Sequence, residues 1–286
     1  MMQRGTLPAR PEKTMKKLYV SADIEGVACI SAPVEVDKDH PAEYAPFRDQ
    51  MTAEVAAACA GAYAAGVESI VVKDAHWTAR NIDPHKLCAP AGKSLKLIRG
   101  WSGHPFAMVQ GIDESFDAAA FIGYHSAGGC GGNPLAHTFS SRAFARVELN
   151  GQTASEFLIY AYAAASVGVP LVFLSGDQQL CNEASSLIDG LQTVATLEGF
   201  GASVLSILPQ EAAQRIQAGV QRAASGPAPA RLKLPEDFVF KLRFNKASDA
   251  YAKSFFPHVR QVSDTELLLE TRRYFDVLTL LWFAAQ

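Results

Sequence analysis

The sequence predicts an α/β fold: a mostly parallel sheet flanked by helices, with a smaller C-terminal α+β lobe. Three observations predict it. Apolar, β-prone runs at 18–24, 68–73, 95–98, 118–123 and 170–174 are interleaved with helical stretches, the pattern of strand–helix–strand units with parallel pairing and right-handed crossovers. Several of these runs end directly in polar residues of metal-ligand type. Beyond a Ser-Gly-Pro-Ala-Pro break at 225–229, strand and helix signals alternate again over a shorter stretch.

Residues 18–24 read as a buried strand that closes on Asp23, Glu25 and Gly26. Two carboxylates two residues apart on extended chain face the same way with backbones roughly 6–7 Å apart, so they can converge on one cation or one of them can bridge two. Gly26 is expected to let the chain turn sharply behind them. Buried acids destabilise a fold unless something neutralises them, and a metal is the simplest agent. The stretch 31–46, with its Pro, Asp and His, reads as a loop, and 47–65 as the crossover helix, stopped by Gly66. The strand at 68–73 runs into Asp74-Ala75-His76, and parallel pairing delivers His76 to the sheet edge that carries Asp23 and Glu25. Asp74, two before His76, is expected to support it.

The strand at 118–123 is followed by Tyr124-His125, a third strand end offering a ligand type at that edge. Histidine with carboxylate and no cysteine favours zinc, manganese or iron over magnesium. The Gly-rich stretch 127–134 lacks the Lys-Ser/Thr of a phosphate loop and reads as a flexible substrate loop leading to His137. Cys130 within it has no basic neighbour in sequence to make it a nucleophile. A strand at 142–149 turns at Asn150-Gly151, and a helix at 153–167 opens on Thr153-Ala154-Ser155-Glu156, which matches a capping box with Glu156 reaching back to Thr153. The strand at 170–174 ends in Ser175-Gly176-Asp177. A strand at 202–208 and a helix at 210–224 precede the break; strands at 238–244 and 266–271 and helices at 248–256 and 274–285 follow it.

Composition sets the outer limits. The chain has 286 residues, 49% hydrophobic and 19% charged, which suits a folded globular protein. A net charge of −3, with no basic cluster beyond Lys16-Lys17 and Arg272-Arg273, gives no footprint for nucleic acid. Five cysteines without a CxxC pair argue against a disulfide framework and for a reducing cytoplasm. Residues 1–14 are polar and lack the apolar core of a secretory signal, which makes Met15 the expected natural start. The longest uncharged run, 55–67, is too short to cross a bilayer, so a soluble protein is expected.

The segment Ser21-Ala22-Asp23-Ile24-Glu25-Gly26 resembles the SxDxEG signature of the bacterial zinc D-aminopeptidase family, the metallopeptidases of dipeptide-transport operons. The similarity continues through Lys73-Asp74-Ala75-His76, Gly123-Tyr124-His125-Ser126, Ala136-His137-Thr138 and Ala154-Ser155-Glu156, in the family's order, and covers the chain from about residue 15. The resemblance implies two zinc ions per subunit held by Asp23, Glu25, His76, His125 and Glu156, with Asp23 as the bridge and His137 as the catalytic residue. It alone turns Glu156 from a helix cap into a ligand. It also implies hydrolysis of short peptides or amides with an N-terminal D-amino acid such as D-Ala, through a hydroxide between the metals. Ring-shaped homo-oligomers, decamers of stacked pentamers, are implied as well. Lys73 and the segment 127–132 depart from the family's usual versions and bear on substrate preference. Rival readings are another metal-dependent hydrolase of small amides or esters, a magnesium phosphoryl-transfer enzyme, and a non-catalytic binding protein. The expected division is an extension at 1–14, disordered; a metal-binding catalytic domain at 15–225; and a lobe at 226–286, packed against it as part of one unit.

Overall fold

The structure, a computed structural model, describes residues 15–227 and 229–286; the expected extension at 1–14 lies outside the described residues. Strand β1 (Lys17–Ala22) leads through helix α1 (Pro41–Ala64) to β2 (Ser69–Asp74), then β3 (Ser94–Ile98) and β4 (Ala118–Tyr124). A hairpin of β5 (Phe144–Leu149) and β6 (Gln152–Thr153) precedes α2 (Glu156–Ser166), β7 (Leu171–Asp177), α3 (Gln178–Leu187), β8 (Gln192–Phe200), β9 (Ser203–Ser206) and α4 (Pro209–Ser225). The chain ends with β10 (Phe238–Phe244), α5 (Ala247–Lys253), β11 (Val259–Gln261), β12 (Glu266–Thr271) and α6 (Tyr274–Ala284).

Seven strands form one sheet in the order β3-β2-β1-β4-β7-β8-β9. Every pair in it is parallel except β8 with β9. A five-stranded antiparallel sheet runs β11-β12-β10-β5-β6. The α/β class with a smaller second sheet is therefore the observed one. The small sheet takes β5 and β6 from well ahead of residue 225, so it joins chain from both sides of the sequence break.

Alternation along β1 shows how the large sheet is covered. Leu18, Val20 and Ala22 face a core shared with Val55 and Ala58 of α1 and Ile216 and Val220 of α4. Tyr19 faces the opposite core, with Phe157 of α2, Phe240 of β10 and Leu278 of α6. Each such large apolar side chain contributes about 1.5–3 kcal/mol on burial. Both faces are thus closed, and the strand ends are left as the place where polar groups gather. Among the described residues no helix is long and apolar enough to cross a membrane.

Two local readings are corrected, and two elements lie where no element was expected. Helix α1 begins at Pro41 inside the expected loop 31–46, because proline is pre-set for the first helical position, and Pro46 forfeits only one backbone bond. Helix α3 and strand β8 had no clear sequence signal: β8, QTVATLEGF, mixes polar and apolar residues beside the short β9. Helix α2 is capped by Ser155, whose Oγ accepts from Leu158 N at 3.1 Å, while Thr153 lies in β6. Glu156 is therefore the first residue of the helix, and the capping box expected from Thr153 does not form.

Candidate metal centre

The ends of β1, β2 and β4 are pressed together beyond their last paired residues. Asp23 N donates to Ile122 O at 2.8 Å, Ala75 N to Ala22 O at 2.8 Å and Gly26 N to Gly123 O at 2.9 Å. Two glycines make this possible. A Cβ on Gly26 would sit 1.8 Å from Tyr124 O, and one on Gly123, whose φ is +70°, would sit 2.4 Å from Asp23 O. Gly26 does not have a positive φ, so its role is close approach of two backbones rather than the sharp turn expected of it.

This junction brings all six sequence-predicted residues together. His76 Nδ1 lies 3.3 Å from Asp23 Oδ1 and 3.0 Å from Glu25 Oε2. His125 Nε2 lies 3.6 Å from Asp23 Oδ2 and 3.8 Å from Glu156 Oε2. His137 Nε2 is 3.7 Å from Glu156 Oε1, and its ring stacks on that of His125 with centroids 4.5 Å apart. Three sets of donor atoms fall within 4.8 Å of one another: Asp23 with Glu25 and His76, Asp23 with His125 and Glu156, and Glu25 with His125 and His137. Asp23 belongs to the first two. His137 is 22% exposed, whereas the side chains of the other five are 9% or less, so His137 is the member that an incoming molecule meets.

Each imidazole is oriented by a backbone carbonyl on its far nitrogen. His76 Nε2 lies 3.0 Å from Val36 O, His125 Nδ1 2.9 Å from Ser126 O and His137 Nδ1 2.9 Å from Leu135 O. A ring that donates to its carbonyl is left, in its neutral form, with an unprotonated nitrogen toward the carboxylates, the usual arrangement behind metal-ligating histidines. Further residues hold the frame, and the sequence reading did not single them out for this. Asp177 accepts from Ser126 N and Oγ, each at 2.6 Å, fixing the residue after His125. Asn133 Nδ2 donates to Glu25 O at 2.9 Å, and Phe139 N donates to Glu156 Oε1 at 2.6 Å. Asp74 supports His76 indirectly: its carboxylate accepts from Asn81 Nδ2 at 2.7 Å, and that amide also donates to His76 O at 2.7 Å.

The electrostatics describe a site that is not self-sufficient. Burial and the adjacent Glu25 carboxylate push Asp23 well above the usual carboxylate range. Burial acts upward on Glu25 too, but the facing His76 outweighs it and holds Glu25 well below. Burial opposes protonation of His125, yet Glu156, Glu25 and Asp23 together raise it to about 9. Protonated histidines would be the cations facing these three buried carboxylates. Among the described residues Glu25 Oε2 and His125 Nε2 are buried with no well-aligned hydrogen bond, although His76 Nδ1 lies 3.0 Å from the first. Orphaned atoms of this kind carry a full desolvation cost, and a cation coordinated by the mixed nitrogen and oxygen donors would relieve it. The residues present therefore fit divalent metal.

A profile of a peptidase family described as D-aminopeptidase matches residues 15–283. A D-aminopeptidase of Bacillus subtilis (strain 168) is 31% identical over 202 residues, 70% of each chain. The fold is similar to that of the Zn-dependent D-aminopeptidase DppA from Bacillus subtilis, described as a self-compartmentalizing protease. The TM-score is 0.85 at 24% identity, over 94% of this chain and 96% of that one.

Proposed function

The chain belongs to the D-aminopeptidase family, and from that premise we propose that it is a dinuclear zinc aminopeptidase acting on short peptides or amides with an N-terminal D-residue such as D-Ala. The observation that carries the metal reading is the pair of donor sets sharing Asp23, with Glu25 Oε2 and His125 Nε2 left orphaned among them. Asp23, Glu25 and His76 would hold one ion, and Asp23, His125 and Glu156 the other. Zinc is supported by the donor chemistry and by the zinc dependence of the structurally similar protease. Bound there, the metals supply Lewis acidity for the scissile carbonyl and lower the pKa of water toward neutrality.

The rest falls to the chain's own residues. Leu135 O holds the proton of His137 on Nδ1, which leaves Nε2 at the open edge of the site as the atom that takes or gives a proton. The Ser126–Asp177 clamp keeps His125 in place, and Asn133 keeps the Glu25 backbone in place. Magnesium-dependent phosphoryl transfer is the poorer reading, because each of the two proposed donor sets includes an imidazole nitrogen, from His76 in one and His125 in the other. The self-compartmentalizing neighbour supports a ring-shaped homo-oligomer here as well, with exposed Phe200, Leu205, Leu208 and Phe255 available for subunit contacts. A decameric ring working in the cytoplasm completes the proposal.

The experiment is metal content by mass spectrometry on purified protein, with hydrolysis of D-Ala and L-Ala p-nitroanilides before and after chelation. About two zinc ions per chain and chelator-sensitive cleavage of the D-substrate are expected. Absence of bound transition metal, with no turnover after zinc is restored, would refute the reading.

A further inference from the structure

Two residues just beyond the site histidines hold strained backbone. Trp77, next to His76, has a φ of 40°, and Phe139, two beyond His137, has a φ of 64°. Bulky side chains rarely adopt left-handed backbone, and where they do the strain tends to mark a functional site. Each of these residues is one end of an aromatic arc. Trp101 Nε1 donates to Trp77 O at 2.6 Å. The Trp101 and Trp282 rings have centroids 6.0 Å apart, and the Trp282 and Phe139 rings are likewise 6.0 Å apart. At its far end Phe139 N bonds Glu156 Oε1. The arc therefore leaves the centre beside His76 and returns to it at Glu156. Trp101, Trp282 and Phe139 are only half-buried, so they keep surface open to a ligand.

We propose that this arc is the subsite for the residue on the leaving-amine side of the scissile bond, and that it selects an apolar or aromatic side chain followed by a free carboxylate. The inference rests on the peptidase reading above. Charge decides which side of the scissile bond the arc serves. Lys73 is fully buried beside it, with Nζ 4.1 Å from the Trp101 ring and bonded to Gly100 O; burial lowers its ammonium to about 8 against the pull of Asp74, so it stays cationic at neutral pH. A cation there repels the ammonium of an N-terminal residue and attracts the carboxylate that ends a dipeptide. His137 strengthens the assignment: it faces the same Glu156 oxygen that holds Phe139 N, so the group placed to protonate a leaving amine adjoins the arc's end.

The test is steady-state kinetics of the zinc-loaded enzyme on D-Ala-D-Phe, D-Ala-Gly and D-Phe-Gly, for wild type, Trp282→Leu and Phe139→Leu. Wild type should prefer D-Ala-D-Phe to D-Ala-Gly by about tenfold in kcat/KM, the scale set by one well-packed side chain. The variants should lose most of that preference through KM, while the ratio of D-Phe-Gly to D-Ala-Gly stays within about twofold. Equal losses on all three substrates, or a change confined to the N-terminal ratio, would overturn the assignment. Turnover of D-Ala-Gly without any leaving-side preference would overturn the subsite alone, whereas no turnover by wild type would overturn the peptidase reading and the subsite with it. Binding of the product D-Phe gives a readout apart from turnover. It should change tryptophan fluorescence saturably in the wild type and at least about fivefold more weakly in Trp282→Leu. If that variant does not fold, Trp101→Phe, which keeps a ring but loses the bond to Trp77 O, takes its place with the same expectation.

Discussion

Buried acids at the edge of the large sheet fall into two kinds. Asp74 ends β2 and Asp177 ends β7, and both are saturated. Asp74 accepts from Asn81 N, Asn81 Nδ2 and Ile82 N, while Asp177 accepts from Ser126 N, Ser126 Oγ and Leu180 N. Asp23 and Glu25 follow β1 at the same edge and are as deeply buried, yet beyond the Ile24 N bond to Asp23 their carboxylate oxygens face imidazoles, His76 and His125, rather than backbone or amide donors among the described residues. Burial does not tell the two kinds apart. Satisfaction does: the first kind is finished by the protein, and the second is unfinished without a ligand.

The sharpest way to break this comparison is Asp23→Asn. Because Asp23 belongs to two of the donor sets, kcat/KM should fall by about a thousandfold or more, the scale of several kcal/mol of Lewis-acid stabilisation. The metal-free protein should be unchanged or slightly more stable, since burial and Glu25 already disfavour a charge on Asp23. His137→Ala is the partner experiment. It should keep the metal and lose about 10²- to 10⁴-fold in kcat, as for removal of a general acid or base. Loss of zinc with His137 would instead make the Glu25–His125–His137 grouping a true coordination set.

Asp177→Asn should do the reverse of Asp23→Asn in the metal-free protein. It weakens three charge-assisted bonds at once, so stability should drop by about 3 kcal/mol, and Tm by about 6–10 °C for a chain of this size. Thermal melts of both variants after chelation decide the matter. If the two shift Tm by the same amount, satisfaction does not distinguish ligand from scaffold and the comparison fails.

This distinction also marks what the sequence could and could not convey. The strand ends at Asp23, His76 and His125 were legible because apolar runs and parallel crossovers are local patterns that fix one sheet edge. Glu156 was not legible as a site residue from its own pattern: Thr153-Ala154-Ser155-Glu156 suits a capping box, and the choice of Ser155 as cap depends on the β5–β6 hairpin absorbing Thr153. The arc of Trp101, Phe139 and Trp282 was invisible for a related reason, since it joins residues as much as 181 positions apart through packing alone. Asp177 was noticed only as a polar strand end, because its partner Ser126 lies on the neighbouring strand's far side of the chain order, 51 residues away.

Glu54 refines the comparison with the smallest expected effect. It sits on α1, fully buried, with Oε1 accepting from Ala28 N at 3.0 Å and from Gln50 Nε2 at 3.2 Å and Oε2 without a partner. It thus shares an orphaned oxygen with Glu25 but belongs to none of the donor sets. Burial raises its carboxyl from 4.5 to about 7, against the pull of the Ala28 and Gln50 bonds. Between those two values the folded chain keeps a proton that the unfolded chain has released, so stability falls as pH rises through the window and the full penalty applies above about 7. The shift corresponds to about 3 kcal/mol at most, and Glu54→Gln should recover only about 1–2 kcal/mol of it, because the new amide leaves its own donors unpaired. Urea unfolding of wild type and variant at pH 5 and pH 8 should therefore show an advantage for Gln that is small at the lower pH and grows at the higher. An advantage equal at both pH values would mean that Glu54 ionises as freely as an exposed carboxylate. Bound metal at Glu54 would mean that an orphaned oxygen alone, without facing histidines, is enough to make a site.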